Sequence, residues 1–210
     1  MRALVIYCHP RPESFTAAVR DLMLDKLGAA GAEVRHVDLY ARGFDPVLSP
    51  AELDRYENTA RNTDGIEGDV ADLRWCDTLI FVYPTWWYGL PAMLKGWLDR
   101  VLVPGVAFLM PDRANATIRP GLRNIERLGV FTTCGASFWL TRFVGAPGRR
   151  TLLRGVGLLC APRCRKTFAA HYLMDSSTDA SRARHLARVG RKIDRFLGRP
   201  AARPAVRVEA

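Results

Sequence analysis

The sequence predicts an α/β protein built on a doubly wound, five-stranded parallel sheet of order 2-1-3-4-5. Short apolar runs alternate with helix-length amphipathic stretches, which is the pattern of a parallel sheet covered on both faces. The first run, Ala3 to Cys8, is unbroken, as suits a strand buried on both sides. The 210 residues, 49% hydrophobic and 25% charged, are enough to bury a full core in one domain.

After the strand Ala3–Cys8, Ser14 caps an amphipathic helix that runs through Leu27 and is closed by Gly28 and Gly31. Glu33 to Asp38 is the second strand. Beyond its loop, Ser49-Pro50-Ala51-Glu52 opens a short helix with Ser as cap and Pro at the first helical position. Asn58 to Asp69 is polar and undefined, Asp69 to Trp75 is helical, and Thr78 to Tyr83 is the third strand. In the helix Pro91 to Leu102, Leu94, Trp97, Leu98 and Val101 recur at helical spacing. Leu128 to Cys134 makes the fourth strand, Gly148 to Leu159 a helix weakened by Gly155 and Gly157, and Arg165 to Leu173 the fifth strand. Ser177 to Leu197 is a long basic helix. Residues 1–197 thus form one domain, and 198–210 read as a mobile tail.

Composition excludes several classes. The apolar N-terminal run is too short for a signal peptide, and no stretch approaches the roughly 18 apolar residues of a membrane helix. A cytoplasmic protein without membrane insertion is expected. Cys8, Cys76, Cys134, Cys160 and Cys164 are odd in number and scattered, so they read as reduced thiols. Cys160 and Cys164 lack a second pair or a nearby His, so no metal site is expected. The net charge of +10 is uneven: residues 1–110 carry 11 Lys+Arg against 15 Asp+Glu, residues 111–210 carry 20 against 6. A basic half suits nucleic acid, anionic lipid or a phosphorylated small molecule, or is a solvated Arg-rich surface. No zinc-finger or RNA-binding signature accompanies it, so a nucleic-acid partner is not expected.

Ligands of such sheets bind at the carboxyl ends of the strands, where the winding reverses. That rule selects three loops. The first, His9 to Thr16, brings hydroxyls and free amides to a helix N-terminus, which attracts phosphate; read alone, Ser14 is simply a cap. It carries neither the G-x-G-x-x-G fingerprint nor a P-loop. The second surrounds Thr85 with Tyr83, Trp86, Trp87 and Tyr88. Loops lie on the surface, so two adjacent tryptophans there point to a planar ligand, to a dimer interface, or to both. The third, Thr132-Thr133-Cys134-Gly135-Ala136-Ser137, offers hydroxyls and successive amide donors for a ring carbonyl or a developing anion. A phosphate anchor, an aromatic wall and polar ring contacts are together the parts of a flavin site.

Three stretches carry a family resemblance: His9 to Thr16, Asp38-Leu39-Tyr40-Ala41-Arg42-Gly43-Phe44-Asp45-Pro46, and the long segment Tyr83 to Val101, with the Thr132-Thr133-x-Gly135 turn in agreement. They resemble the NAD(P)H:quinone oxidoreductase family of flavodoxin-like flavoproteins over roughly residues 1–140. The resemblance implies a flavin, FAD with FMN as the alternative, held at a homodimer interface. NAD(P)H would be co-substrate in a two-electron, ping-pong reduction of quinones or of azo and nitro compounds. His9, Ser14, Phe15 and Thr16 would hold the phosphate end, and Pro84, Thr85, Trp86, Trp87 and Tyr88 the ribityl chain and ring. Thr132, Thr133, Cys134 and Gly135 would contact the ring edge.

Two departures stand out. Many quinone reductases carry a Tyr and a His soon after the Thr-Thr-Gly-Gly turn, whereas here Phe138 to Arg150 contains neither, and Cys134 replaces the first Gly. Acid–base assistance then falls to Tyr88, to solvent or to no group at all, and the acceptor can differ from the family's. The alternatives are a flavin-bearing regulatory subunit of a potassium efflux system, whose basic half would meet an acidic membrane-protein domain, and a flavodoxin-type electron carrier. Such carriers are typically acidic and lack the paired-Trp loop.

Overall fold

The computed structural model describes residues 1–198, so the tail expected from Gly198 to Ala210 lies, apart from Gly198, outside the described residues. Strands β1 (Arg2–Tyr7), β2 (Glu33–Asp38) and β3 (Thr78–Thr85) precede a two-residue pair, β4 (Phe108–Leu109) and β5 (Arg119–Pro120). Strands β6 (Arg127–Cys134) and β7 (Arg165–His171) follow. The main sheet has order β2-β1-β3-β6-β7 and every pairing in it is parallel. Numbered by chain order within that sheet, this is the expected 2-1-3-4-5.

Period-two alternation sends successive residues of the central strands to opposite faces, and both faces are covered. Leu4, Ile6, Leu79 and Phe81 pack with Leu73 of α3 (Glu67–Trp75) and with Leu94, Trp97 and Val101 of α4 (Ala92–Val101). Ala3, Val5, Ile80 and Val82 pack with Val19, Met23 and Leu27 of α1 (Phe15–Ala29) and with Val189, Ile193 and Phe196 of α8 (Asp179–Leu197). Each fully buried large side chain stabilises by about 1.5–3 kcal/mol. The central strands therefore had to read as unbroken apolar runs.

The segment Asp38 to Pro46 buttresses α4. A Cβ on Gly96 would lie 2.2 Å from the Pro46 carbonyl oxygen, so the loop can rest on that helix only because residue 96 is glycine. Arg100 holds the same loop, donating to the Asp45 carbonyl at 2.5 Å and to Glu52 Oε1 at 2.6 Å. Glu52 belongs to α2 (Pro50–Asp54), which Ser49 opens with a capping box. Trp97, fully buried, donates its indole N–H to Asp69 Oδ1 at 2.6 Å, and Arg42 binds the same oxygen at 2.8 Å.

Several boundaries differ from expectation. The third strand continues two residues past Tyr83, because Pro84 and Thr85 still pair in register with Thr133 and Cys134. The fifth stops at His171, since Leu173 adopts φ 55° and leads into the single turn Met174–Ser176. The helix expected over Gly148–Leu159 is composite: α6 (Pro147–Arg150), a π-helical turn (Thr151–Val156) and α7 (Gly157–Leu159). Gly155 and Gly157 lower its helical propensity, and a Cβ on Gly157 would meet Lys166 Nζ at 2.6 Å. The last helix starts at Asp179, because Thr178 is its cap. A short helix, α5 (Phe138–Phe143), was not foreseen. Its Phe138, Trp139, Leu140 and Phe143 are all exposed, so they carry no core-facing period.

Candidate active site

The sheet register places the site residues in adjacent rows. Tyr83, Pro84 and Thr85 lie opposite Thr132, Thr133 and Cys134, and Thr133 lies opposite His171. Thr85 and Thr132 share a hydroxyl hydrogen bond of 2.8 Å, and Thr16, in the first turn of α1, reaches Thr133 at 3.0 Å. These two bonds tie the three strand-end loops into one rim. Ser14 caps α1, its Oγ accepting from the Ala17 amide at 3.1 Å, and no acidic residue lies in the first turn to neutralise the helix end.

The segment Trp86–Gly89 is a tight turn closed by the Gly89 amide donating to the Trp86 carbonyl at 2.9 Å. Its two central residues, Trp87 and Tyr88, have φ of 49° and 61°. Positive φ at both is the signature of a type I′ turn, which ordinarily takes Asn or Gly. Here two aromatics occupy it, at a cost of about 1–2 kcal/mol each. The turn leaves Trp87 95% exposed, while Trp86 stands 6.4 Å, ring to ring, from His9. Burial lowers the His9 pKa, so the ring is neutral at neutral pH; its Nδ1 accepts from the Arg11 amide at 3.0 Å.

His9, Pro84, Thr85, Trp86, Trp87, Tyr88, Thr133, Cys134 and Gly135 line one open cavity of about 810 Å³. That volume falls within the roughly 300–1,000 Å³ of small-molecule sites. The other expected residues stand behind its wall. Phe15 packs edge-on against His171 at 5.3 Å, Thr16 is buried, and Ser14 is engaged as the cap. Thr132 faces a narrow cleft of about 20 Å³ shared with Tyr83, Thr85, Tyr88, Cys134 and Tyr172. Cys134 is buried, its Sγ 3.6 Å from the Thr141 hydroxyl, which places its thiol against α5. Among the described residues no three His, Cys, Asp or Glu side chains gather as a metal site.

Sequence reasoning missed Leu140, Met174 and Asp175 in the main cavity and Tyr172 in the cleft. Tyr172 and Asp175 follow β7, so the strand-end rule extended to the fifth strand would have found them. A Cβ on Gly135 would come within 2.7 Å of Asp175 Oδ2, so this glycine admits the carboxylate to the rim. Burial raises the Tyr172 pKa, and its phenol stays protonated at neutral pH.

A family model described as flavodoxin-like fold matches residues 1–193. An uncharacterized NAD(P)H oxidoreductase of Escherichia coli (strain K12), YcaK, is 36% identical over 108 residues, covering 51% of this chain and 55% of that protein. Human ribosyldihydronicotinamide dehydrogenase [quinone] is 33% identical over 126 residues, 52% of this chain and 54% of its own. The chain thus spans about half the length of these curated relatives. The solved NAD(P)H:quinone oxidoreductase from Methanothermobacter marburgensis superposes with a TM-score of 0.76 at 26% identity, over 92% of this chain and 95% of that one.

Proposed function

The chain belongs to the flavodoxin-like fold family, and on that premise we propose that it is an NAD(P)H-dependent flavoprotein oxidoreductase acting on quinones or related acceptors. One observation carries the reading: two adjacent tryptophans are held in a strained turn at the carboxyl ends of the strands. One of them is almost fully exposed on the wall of an 810 Å³ cavity. Trp87 packs against almost nothing among the described residues that would offset its share of that strain, whereas stacking on a planar aromatic ligand would.

The residues present fit a flavin. Trp86, Trp87 and Tyr88 would wall its ring system, and Pro84 and Thr85 its ribityl chain. Thr132, Thr133, Cys134 and Gly135 would meet its edge, and the amide-rich start of α1, with His9, Ser14, Phe15 and Thr16, would hold its phosphate end. When bound, a flavin supplies two-electron hydride acceptance and release. The chain's own part is to orient it and to offer hydrogen-bond donors. We assign Tyr88 as the catalytic donor at the acceptor side, with the protonated Tyr172 phenol beside it in the cleft. Tyr172 stands in for the Tyr and His that are absent from Phe138 to Arg150.

The resemblance of Tyr83 to Val101 favours FAD over FMN. Trp87, Trp139 and Phe143, exposed at 95%, 78% and 89%, support a second copy of this chain completing the site. All five cysteines are unpaired, which suits a reducing cytoplasm, and among the described residues no helix is long and apolar enough to cross a membrane.

The test is direct. The purified protein should be yellow, release FAD on denaturation, and be bleached by NADH or NADPH and recoloured by a quinone. A colourless protein that binds neither flavin overturns the reading; one that NAD(P)H cannot bleach leaves only the carrier or regulatory roles.

A further inference from the structure

The site above assigns no role to the Arg and Lys side chains of the basic second half, yet the fold gathers five of these cations. Arg142 of α5, Arg149 of α6, Lys166 of β7, and Arg188 and Lys192 of α8 line one cavity of about 680 Å³. Among the described residues none of the five is paired with a carboxylate, although acidic partners hold Arg42, Arg100 and Lys26 elsewhere. The cavity is not simply a solvated charged face. Its wall includes Phe138, Phe168 and Tyr172, with the Arg149 guanidinium 5.2 Å from the Phe168 ring centre. Lys192 is fixed in place, its Nζ donating to the Phe168 carbonyl at 2.8 Å.

Five like charges on converging elements repel one another, and a concave low-dielectric wall strengthens that field. Burial, together with Arg188 and Arg195, already lowers the Lys192 pKa. An anion placed among them converts the repulsion into attraction, and aromatic rings beside the cations suit a ligand with a flat face as well as charge. The cavity borders the redox site: Tyr172, Arg149, Ala146, Phe168 and Ala170 also line the narrow cleft beneath Tyr88 and Thr85.

We propose that this cavity is an anion site that takes the phosphate groups of a nucleotide, its cations holding the phosphates and Phe138, Phe168 and Tyr172 the base. The nucleotide has two sources: the 2′-phosphorylated adenosine end of NADPH, or a separate nucleotide bound beside the redox site. The first source rests on the function proposed above; the anion site itself does not.

Titration calorimetry of the whole protein with adenosine, adenosine monophosphate and adenosine 2′,5′-bisphosphate tests it. Affinity should rise with phosphate number and weaken in high salt. The double variant Arg149→Gln, Arg188→Gln should lose at least tenfold for the bisphosphate. A control pair, Arg113→Gln, Arg123→Gln, removes the same net charge outside the cavity and should leave binding unchanged. Absence of binding, equal loss in the control pair, or tighter binding of a single-stranded oligonucleotide than of the bisphosphate would overturn the proposal. Steady-state kinetics separates the sources. A raised KM for NADPH but not for NADH in the cavity variant assigns the 2′-phosphate of the reductant; unchanged KM values alongside lost bisphosphate binding assign a separate nucleotide. Loss of redox activity in the wild type with bisphosphate binding intact would sink the proposed function and leave the anion site standing.

Discussion

Replacing Trp87 by Gly separates the cost of the aromatic turn from its use. Trp87 is 95% exposed at φ 49°, so the substitution removes almost no packing within the chain and relieves a left-handed non-glycine residue. Relief amounts to about 1–2 kcal/mol, and the added freedom of glycine in the unfolded chain takes back about 0.5–1 kcal/mol. The flavin-free protein should therefore be as stable as wild type or more stable by up to about 1.5 kcal/mol. Flavin binding moves the other way. Losing about 100 Å² of ring contact at about 25 cal/mol per Å² costs about 2.5 kcal/mol, and lost stacking adds roughly 0.5–1.5 kcal/mol. Affinity should then fall roughly 100-fold or more, at about 1.4 kcal/mol per factor of ten. Urea unfolding of the flavin-free protein at several concentrations reads the first effect, and flavin fluorescence titration the second. Unchanged flavin affinity would refute the stacking role. A stability loss that grows with protein concentration would assign Trp87 to the contact between copies.

Gly96→Ala should destabilise by about 2–4 kcal/mol, because its Cβ meets the Pro46 backbone and cannot be relieved by a rotamer change; Gly28→Ala, with open space around it in α1, should stabilise by about 0.5–1 kcal/mol, and urea midpoints compare the two. Thr16→Val should cost about 1–3 kcal/mol by leaving the buried Thr133 hydroxyl without its partner, and adding Thr133→Val should restore part of the loss in a double-mutant cycle. His185 is held at a pKa of about 4 by burial, by His171 and by Arg188. Its folded value lies below the unfolded one, so the unfolded chain takes up the extra proton between about pH 6.5 and 4. Stability should be fully present above pH 6.5 and drop as pH falls through that window; His185→Gln should flatten the profile, and a slope unchanged by the substitution would contradict the assignment.

The loops of the site were legible because their chemistry is local. A Ser before a helical period, paired tryptophans after an apolar strand and a Thr-Thr-x-Gly turn each announce themselves within a few residues. The short helix Phe138–Phe143 was not legible, since its apolar residues face outward and helical period is visible only when one face is buried. Tyr172 and Asp175 were missed for another reason: they reach the cleft and the cavity, respectively, from the far edge of the sheet, and lining shared with Tyr88 from more than 80 residues away leaves no periodic trace.

The sequence by itself determined the strand order, both faces of the core and the three loops that meet at one edge. Burial on both sides forces apolar strands, and strand order then dictates where the loops converge. Only the tertiary structure decided what completes that edge. It revealed that Trp87 and Tyr88 sit in a left-handed turn, that Thr16 and Thr133 are bound to each other, and that Tyr172 borders the cleft. It also drew five dispersed cations from four elements into one cavity. Such features depend on distances between residues far apart in the chain, and those distances exist only once the sheet has formed.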